Sequence, residues 1–389
     1  MAFARRIPIA DAGRAAEIRS YNRAVARAVE QLEAEFAAWL DARGAVAAGF
    51  GRAALRLALE ALEVRGGQVL VPDFVCEQVP EAVRRAGAKA EFYPVRRDLC
   101  VAAEDFEAAF TPQTRAAIVV HYFGRVFPDA AQFAAVCRRR GVPLVEDCAL
   151  ALGASLGGQS AGTFGDLAAF SFTKSDWCYG GGMVAATRPD LLSKLRALRD
   201  KHFREYRSLA WRYGLLRRLD FDANRPGLAR IAETTGRWFE RLSSGEENFY
   251  DAGRFDAALP AFAARRAQRV LRDLASRTSR CRQILHRLAE ALRDSPHILF
   301  RSDQDPGDAA SFLLLRCPSS CAPAWVEQAA REGVTLRFCW PAYQEISGAT
   351  TSGEVCWLRD HLLLLEIHPG LRDAEAERIA RAIRRLPLG

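Results

Sequence analysis

The stretch DLAAFSFTKSDWCYGGGMVAAT, residues 166–187, decides the fold. It reads as a nearly continuous apolar strand, a lysine at 174, three glycines at 180–182 and a second apolar strand. Strands rich in Val, Ile, Ala and Phe along their whole length are covered on both faces, as in a mainly parallel sheet. Outward from this stretch, strands keep alternating with helices. Toward the N-terminus the strands are VPLVED, RAAIVVHYFG, KAEFYPV and QVLVPDF, and the helices are DAAQFAAVCRRRG, CEQVPEAVRRAG and GRAALRLALEAL. RPDLLSKLRALRDKHF follows as a further helix, and residues 1–45 carry helical periodicity through SYNRAVARAVEQLEAEFAAWL. This order predicts an α/β fold: a three-layer αβα unit around a mainly parallel sheet.

The pattern fades between about 205 and 250. A long helix is expected from about 254 to 293, and HILF, SFLLLRCP, PAWVEQAAREG, VTLRFCW, HLLLLEIHP and a final helix make a smaller α+β unit. The expected division is a large domain over 1–250 and a small C-terminal domain over 251–389, entered by the long helix.

Composition narrows the chemistry. Of the 55 Lys plus Arg among 389 residues only Lys89, Lys174, Lys194 and Lys201 are lysines, so chemistry that needs a lysine amine has four candidates. The net charge of +8 is spread along helices such as RDAEAERIARAIRRL, which argues for solvated helix faces and against nucleic-acid binding. The ten cysteines lack the spacing of a disulfide framework, and Cys317 and Cys321 have no second pair or histidine cluster, so no metal site is expected. MAFARRIPIADAGR has neither a long apolar core nor a cleavage site, and no run reaches the length of a membrane span. A cytoplasmic protein with free thiols is the expectation.

In an open parallel sheet, ligands sit beyond the carboxyl ends of the strands. Four features fall there. Gly49 and Gly51 in GFGRAALRLAL precede a helix, either as an ordinary turn or as an anion cradle at the helix N-terminus. Asp147 ends VPLVED, as a cap or as the partner of a positive group. His121 ends IVVHYFG, with a core and a functional role equally open. Lys174, preceded by Ser171, is the one lysine set between an apolar strand and a glycine loop, where desolvation makes an amine nucleophilic.

The order of these features, with the strings EDCA, FSFTK, GGGM, VVHYFG and VPDF, resembles the sugar aminotransferases of the DegT/DnrJ/StrS type, within the aspartate aminotransferase-like (type I) fold of pyridoxal-phosphate enzymes. The likeness runs from about residue 45 to 203 and returns at HLLLLEIHPGLRDAEAERIARAI. It implies a homodimer with pyridoxal 5'-phosphate as cofactor, carried on Lys174 as the catalytic residue. Asp147 would pair with the pyridine nitrogen, while Gly51, Arg52 and Ala53 with Ser171 would hold the phosphate. The implied activity is transfer of an amino group, from L-glutamate, to a keto-sugar, nucleotide-linked, in polysaccharide or natural-product biosynthesis. A lysine at 174, where dehydrating relatives carry histidine, favours transamination.

The sequence departs from that pattern at several points. Arg52 and Ala53 replace a hydroxyl residue of the phosphate turn, Cys76 replaces the aromatic that stacks on the cofactor ring, Leu150 replaces a polar residue after Asp147, and Gly180 stands where a glutamate is common. The Asn-Tyr-Arg element that reaches the partner's phosphate is reduced to ENFYDAGR, with Arg254 near the expected place. These departures leave open another type I reaction on an amino acid, decarboxylation or carbon–carbon bond formation, and a non-catalytic sensor on the same fold. Candidates for substrate contact are His121, Tyr179, Arg337 and Trp340, the last with core packing as the alternative.

Overall fold

The computed structural model describes residues 26–174, 180–204, 255–295, 306–318, 321–340 and 353–387. Helix α1 (26–40) carries Ala28, Leu32, Phe36 and Leu40 one turn apart, and that apolar stripe is buried. It leads into β1 (Gly44–Ala48), α2 (Gly51–Ala61), β2 (Gln68–Pro72), α3 (Gln78–Arg85), β3 (Lys89–Tyr93), α4 (Ala103–Ala108), β4 (Thr114–Val120), α5 (Ala130–Arg140) and β5 (Leu144–Cys148). A small hairpin, β6 (Ser155–Leu156) and β7 (Gln159–Ser160), turns through Gly157 and Gly158, both with positive φ. Then come β8 (Leu167–Ser171), β9 (Gly182–Ala186) and α6 (Pro189–His202).

Seven strands form one sheet in the order β1-β9-β8-β5-β4-β2-β3. The pairs β2–β3, β2–β4, β4–β5 and β5–β8 are parallel, whereas β9 runs antiparallel between β8 and β1. The mainly parallel α/β sheet read from the sequence is therefore present. Parallel pairing brings the carboxyl ends of β2, β4, β5 and β8 to one edge. In register, Val120 pairs with Asp147 and Asp147 with Ala169, so the strand ends holding His121, Asp147 and Lys174 lie side by side. Behind this edge, α1 supports β8: the Phe36 ring packs edge-on against Phe170 at 5.1 Å and Phe172 at 5.9 Å.

The C-terminal part is built on the long helix α7 (Ala261–Ala291), with β10 (Phe312–Arg316), α8 (Ala322–Arg331), β11 (Arg337–Phe338), α9 (Gly353–His361), β12 (Leu362–Glu366) and α10 (Asp373–Arg384). The strands form an antiparallel sheet in the order β10-β12-β11. One face, with Leu313, Leu315, Leu363 and Leu365, packs on Trp325, Ile379 and Ile383 in a second hydrophobic cluster. The other, with Phe312, Leu314, Leu362 and Leu364, joins the core of the seven-stranded sheet. Helix α7 serves both: Ala261 to Leu274 sit in the first cluster and Cys281 to Leu288 in the second.

Three elements differ from the sequence expectation. VTLRFCW, read as a full strand, pairs only at Arg337 and Phe338. Helices α4 and α9 lacked a readable signal; α4 is a short helix that fully buries only Phe106. The segment HILF lies outside the described residues.

Candidate active site

Lys174 ends a short 3₁₀ turn, Phe172–Lys174, that continues directly from β8. Two glycine segments hold that turn. Phe172 N–H donates to Gly181 O at 2.9 Å, and Gly181 N–H donates to Gly49 O at 2.7 Å. Gly181 has φ of +117°, and a Cβ there would stand 3.1 Å from Phe172 Cβ, so both its conformation and its surroundings call for glycine. The glycine run and the loop before α2 are thus one knitted structure beside the lysine.

The N-terminus of α2 meets the end of β8. A Cβ on Gly51 would fall 2.9 Å from Ser171 Cβ and 3.3 Å from Ser171 Oγ. Phe50, at the N-cap, gives no side-chain cap, and the first turn holds no acid. First-turn N–H groups, which lie beyond the reach of the helix's own carbonyls, and the positive end of the helix dipole are the features that suit an anion. Ser171 Oγ is 2.7 Å from Thr173 Oγ1; with Thr173 donating, the Ser171 hydroxyl proton is left for a ligand. Arg52 sits in the same first turn, donating from Nη1 to Gln78 Oε1 at 2.9 Å, with its guanidinium 5.6 Å from the Phe50 ring centre.

Asp147 and Glu146 are neighbours on β5 and so point to opposite faces of the sheet. Asp147 is 9% exposed, and its Oδ1 accepts Ala149 N–H at 3.0 Å. Burial pushes its carboxyl above the ordinary Asp range, against the pull of that N–H and of neighbouring His121 and Lys174. Cys76, beyond β2, lies near Lys174 and Asp147; burial and the adjacent Glu77 push its thiol up to about 12. It is therefore an uncharged neighbour of Lys174, its thiol donating to Glu77 Oε2 at 3.6 Å.

Glu146 is the structural counterpart that sequence reasoning missed. Fully buried, it accepts N–H groups from Gly162, Phe164 and Gly165 at 2.8, 2.7 and 2.6 Å, and lies 2.8 Å from His121 Nε2. His121 Nδ1 accepts Phe127 N–H at 2.9 Å, so the ring proton is on Nε2 and is donated to Glu146. Both ring nitrogens of His121 are engaged inside the protein, and neither is offered to a substrate. Cys148 joins these two within 4.8 Å in a metal-like trio, yet the same hydrogen bonds occupy the lone pairs that a metal would need.

The remaining candidates divide. Trp340 packs against Phe74 at 4.9 Å and stacks on Phe123 at 5.5 Å, which makes it an aromatic bridge between the C-terminal sheet and the strand-end loops. Arg337 lies exposed on β11, near Glu366. Tyr179 and Arg254 lie outside the described residues. Lys174 and Glu366 line one cavity of about 240 Å³ together with Leu152, Arg277, Ser311 and His368.

A mainly parallel seven-stranded sheet with lysine, buried aspartate and an uncapped glycine-led helix at one edge defines the aspartate aminotransferase-like type I fold. Within it, the chain belongs to the DegT/DnrJ/EryC1/StrS aminotransferase family, whose profile matches residues 15–220. A UDP-N-acetyl-3-dehydro-alpha-D-glucosamine 3-aminotransferase of Acidithiobacillus ferrooxidans is 40% identical over 174 residues, 43% of this chain and 47% of the relative. The chain therefore spans about half the length of that curated relative. A dTDP-4-dehydro-2,3,6-trideoxy-D-glucose 4-aminotransferase of Saccharopolyspora spinosa is 28% identical over 359 residues, 90% of this chain and 86% of the relative. Among solved structures, the aminotransferase TlmJ from Streptoalloteichus hindustanus superposes with a TM-score of 0.71 at 24% identity, covering 92% of this chain and 90% of that one.

Proposed function

We propose that this chain is a pyridoxal-phosphate-dependent aminotransferase that moves an amino group from L-glutamate to the carbonyl of a nucleotide-linked keto-sugar, working as a cytoplasmic homodimer. The observation that carries this reading is the convergence of Lys174, Asp147 and the α2 N-terminus at one sheet edge. The site fits the cofactor on its own chemistry. An amine, a buried carboxylate and a cradle that a Cβ would fill match an aldehyde, a ring nitrogen and a phosphate. The printed activities of the relatives, on UDP- and dTDP-linked dehydro sugars, support the acceptor class. No described helix is long and apolar enough to cross a membrane.

When bound, pyridoxal phosphate supplies an electron sink for the carbon that loses or gains the amino group. The residues do the rest. The first-turn N–H groups of Gly51, Arg52 and Ala53, with the Ser171 hydroxyl, would hold the phosphate, and Arg52 would add positive charge. Asp147, ionised, would accept the ring N–H. The Lys174 amine would hold the aldehyde and serve as the base and acid that moves the proton in the amino transfer. Cys76 would offer a side chain to the ring.

A second reading, another type I reaction on an amino acid, is favoured by the thiol at Cys76 and the apolar Leu150. One experiment tests both. The purified chain, given the cofactor, should gain a visible absorption band that L-glutamate bleaches and a nucleotide-linked keto-sugar restores, with an amino-sugar as product. Bleaching without restoration by any keto-sugar would overturn the proposed acceptor, and return of the aldehyde form after each turnover would favour the second reading.

A further inference from the structure

Glu366 is out of character for its surroundings. It ends β12 on the face that carries Leu362 and Leu364, directly opposite Phe312 of β10, and this face packs toward the seven-stranded sheet. A carboxylate on an apolar face between two sheets is costly unless a positive group meets it. Two do. Arg337 pairs in register with Leu364 on the neighbouring strand, which places it diagonal to Glu366 on the same face, within reach of a long side chain. Lys174 reaches into the same cavity of about 240 Å³ from the other sheet.

We infer that Glu366 is a positioning residue for Lys174: from the C-terminal sheet its carboxylate faces the lysine amine across the shared cavity and orients it there until a ligand displaces it. The importance of this pairing rests on the reading of Lys174 as the cofactor lysine, although the pairing itself does not. Burial raises the carboxyl of Glu366, and Arg337 and then Lys174 pull it back, as expected of an acid held between two cations. The other groups around the amine are accounted for. Asp147 faces it from β5; Cys76 and Cys339 are thiols that burial keeps protonated; Arg277 and His368 line the cavity wall. Glu366 is thus the one carboxylate that reaches Lys174 from the C-terminal sheet among the described residues.

The test uses the full-length chain freed of cofactor and treated with cyanate at neutral pH, with the rate of carbamylation at each lysine read by peptide mass. Lys194, which pairs with Glu63 on the surface, serves as the internal control. A carboxylate that faces the amine and engages it slows its reaction. Glu366→Gln should raise the labelling rate at Lys174 about threefold or more, with Lys194 unmoved. Glu366→Asp, which keeps the charge, should stay close to the parent protein. Arg337→Ala, which removes the competing cation, should slow labelling at Lys174. Equal Lys174 rates in the parent protein and Glu366→Gln would overturn the inference. Should Glu366→Gln fail to fold, an unchanged Lys174 rate in Arg337→Ala would do the same. Failure of the aminotransferase reading is a separate result, the absence of a visible band on adding cofactor, and leaves the labelling outcome standing.

Discussion

Trp340 and Phe123 stack with ring centres 5.5 Å apart and planes 24° from parallel, and both hold left-handed backbone, with φ of +44° and +53°. Bulky side chains adopt that conformation rarely, at a cost of order 1–2 kcal/mol each. Here the stack spans the junction between the C-terminal sheet and the loop after β4, one residue beyond the thiol of Cys339. The strain is held by the packing. Trp340→Ala should lose about 2–3 kcal/mol of stability. Trp340→Gly, which relieves the positive φ, should be at least as stable as the alanine variant, the reverse of the usual order. Chemical denaturation of the two variants measures this directly.

The contact between Gly51 and Ser171 predicts how the anion cradle fails. A methyl group at 51 must push Ser171 aside, and Ser171 is tied to Thr173 and the start of the lysine turn. Gly51→Ala should weaken pyridoxal-phosphate binding about tenfold or more, a loss of about 1.4 kcal/mol or more. Arg52→Ala should weaken it by a similar factor without destabilising the cofactor-free protein, because a cation in the first turn of α2 opposes the helix dipole. Absorbance titration with the cofactor gives both constants.

Asp147 carries a burial cost that its proposed role would explain. Its carboxyl is raised above the ordinary value of 3.8 in the folded protein, so the folded state binds that proton more tightly than the unfolded chain. The stabilising contribution is therefore complete below the ordinary Asp value and is lost as pH rises through the folded value. At neutral pH, cofactor-free Asp147→Asn should be as stable as the parent protein or more so, while losing about a hundredfold or more of its transamination rate. Thermal unfolding and stopped-flow absorbance separate the two effects.

Glu146 and His121 should behave in the opposite way. Glu146→Gln turns an acceptor of three backbone N–H groups into a side chain that is half donor, which should cost about 3 kcal/mol or more. His121→Phe removes the acceptor for Phe127 N–H and should lower the melting temperature, with the KM for the keto-sugar unchanged in the protein that folds. A selective rise in that KM would return His121 to the substrate site.

Much of this was legible because the chemistry sits at strand ends. Buried parallel strands announce themselves as apolar runs, and the polar residues that close them, His121, Asp147 and Lys174 among them, mark the edge where the candidate site lies. What the sequence hid depends on contacts across the fold. Glu146 reads as a neighbour of Asp147 in the EDCA string, yet pleating sends it to the other face, onto N–H groups of residues 162–165. Glu366 follows a run of four leucines, so no alternation shows which sheet face it occupies. Trp340 admitted two readings, core or cleft, because its partners Phe74 and Phe123 come from distant strands.

In the proposed function Lys174, alone of the four lysines, carries the cofactor. Borohydride reduction of the pyridoxal-phosphate-loaded chain, followed by peptide mass mapping, tests it most directly. The pyridoxyl mass is predicted on the peptide containing Lys174 and on no other. Its appearance on Lys89, Lys194 or Lys201, or its absence from every peptide, would contradict that assignment.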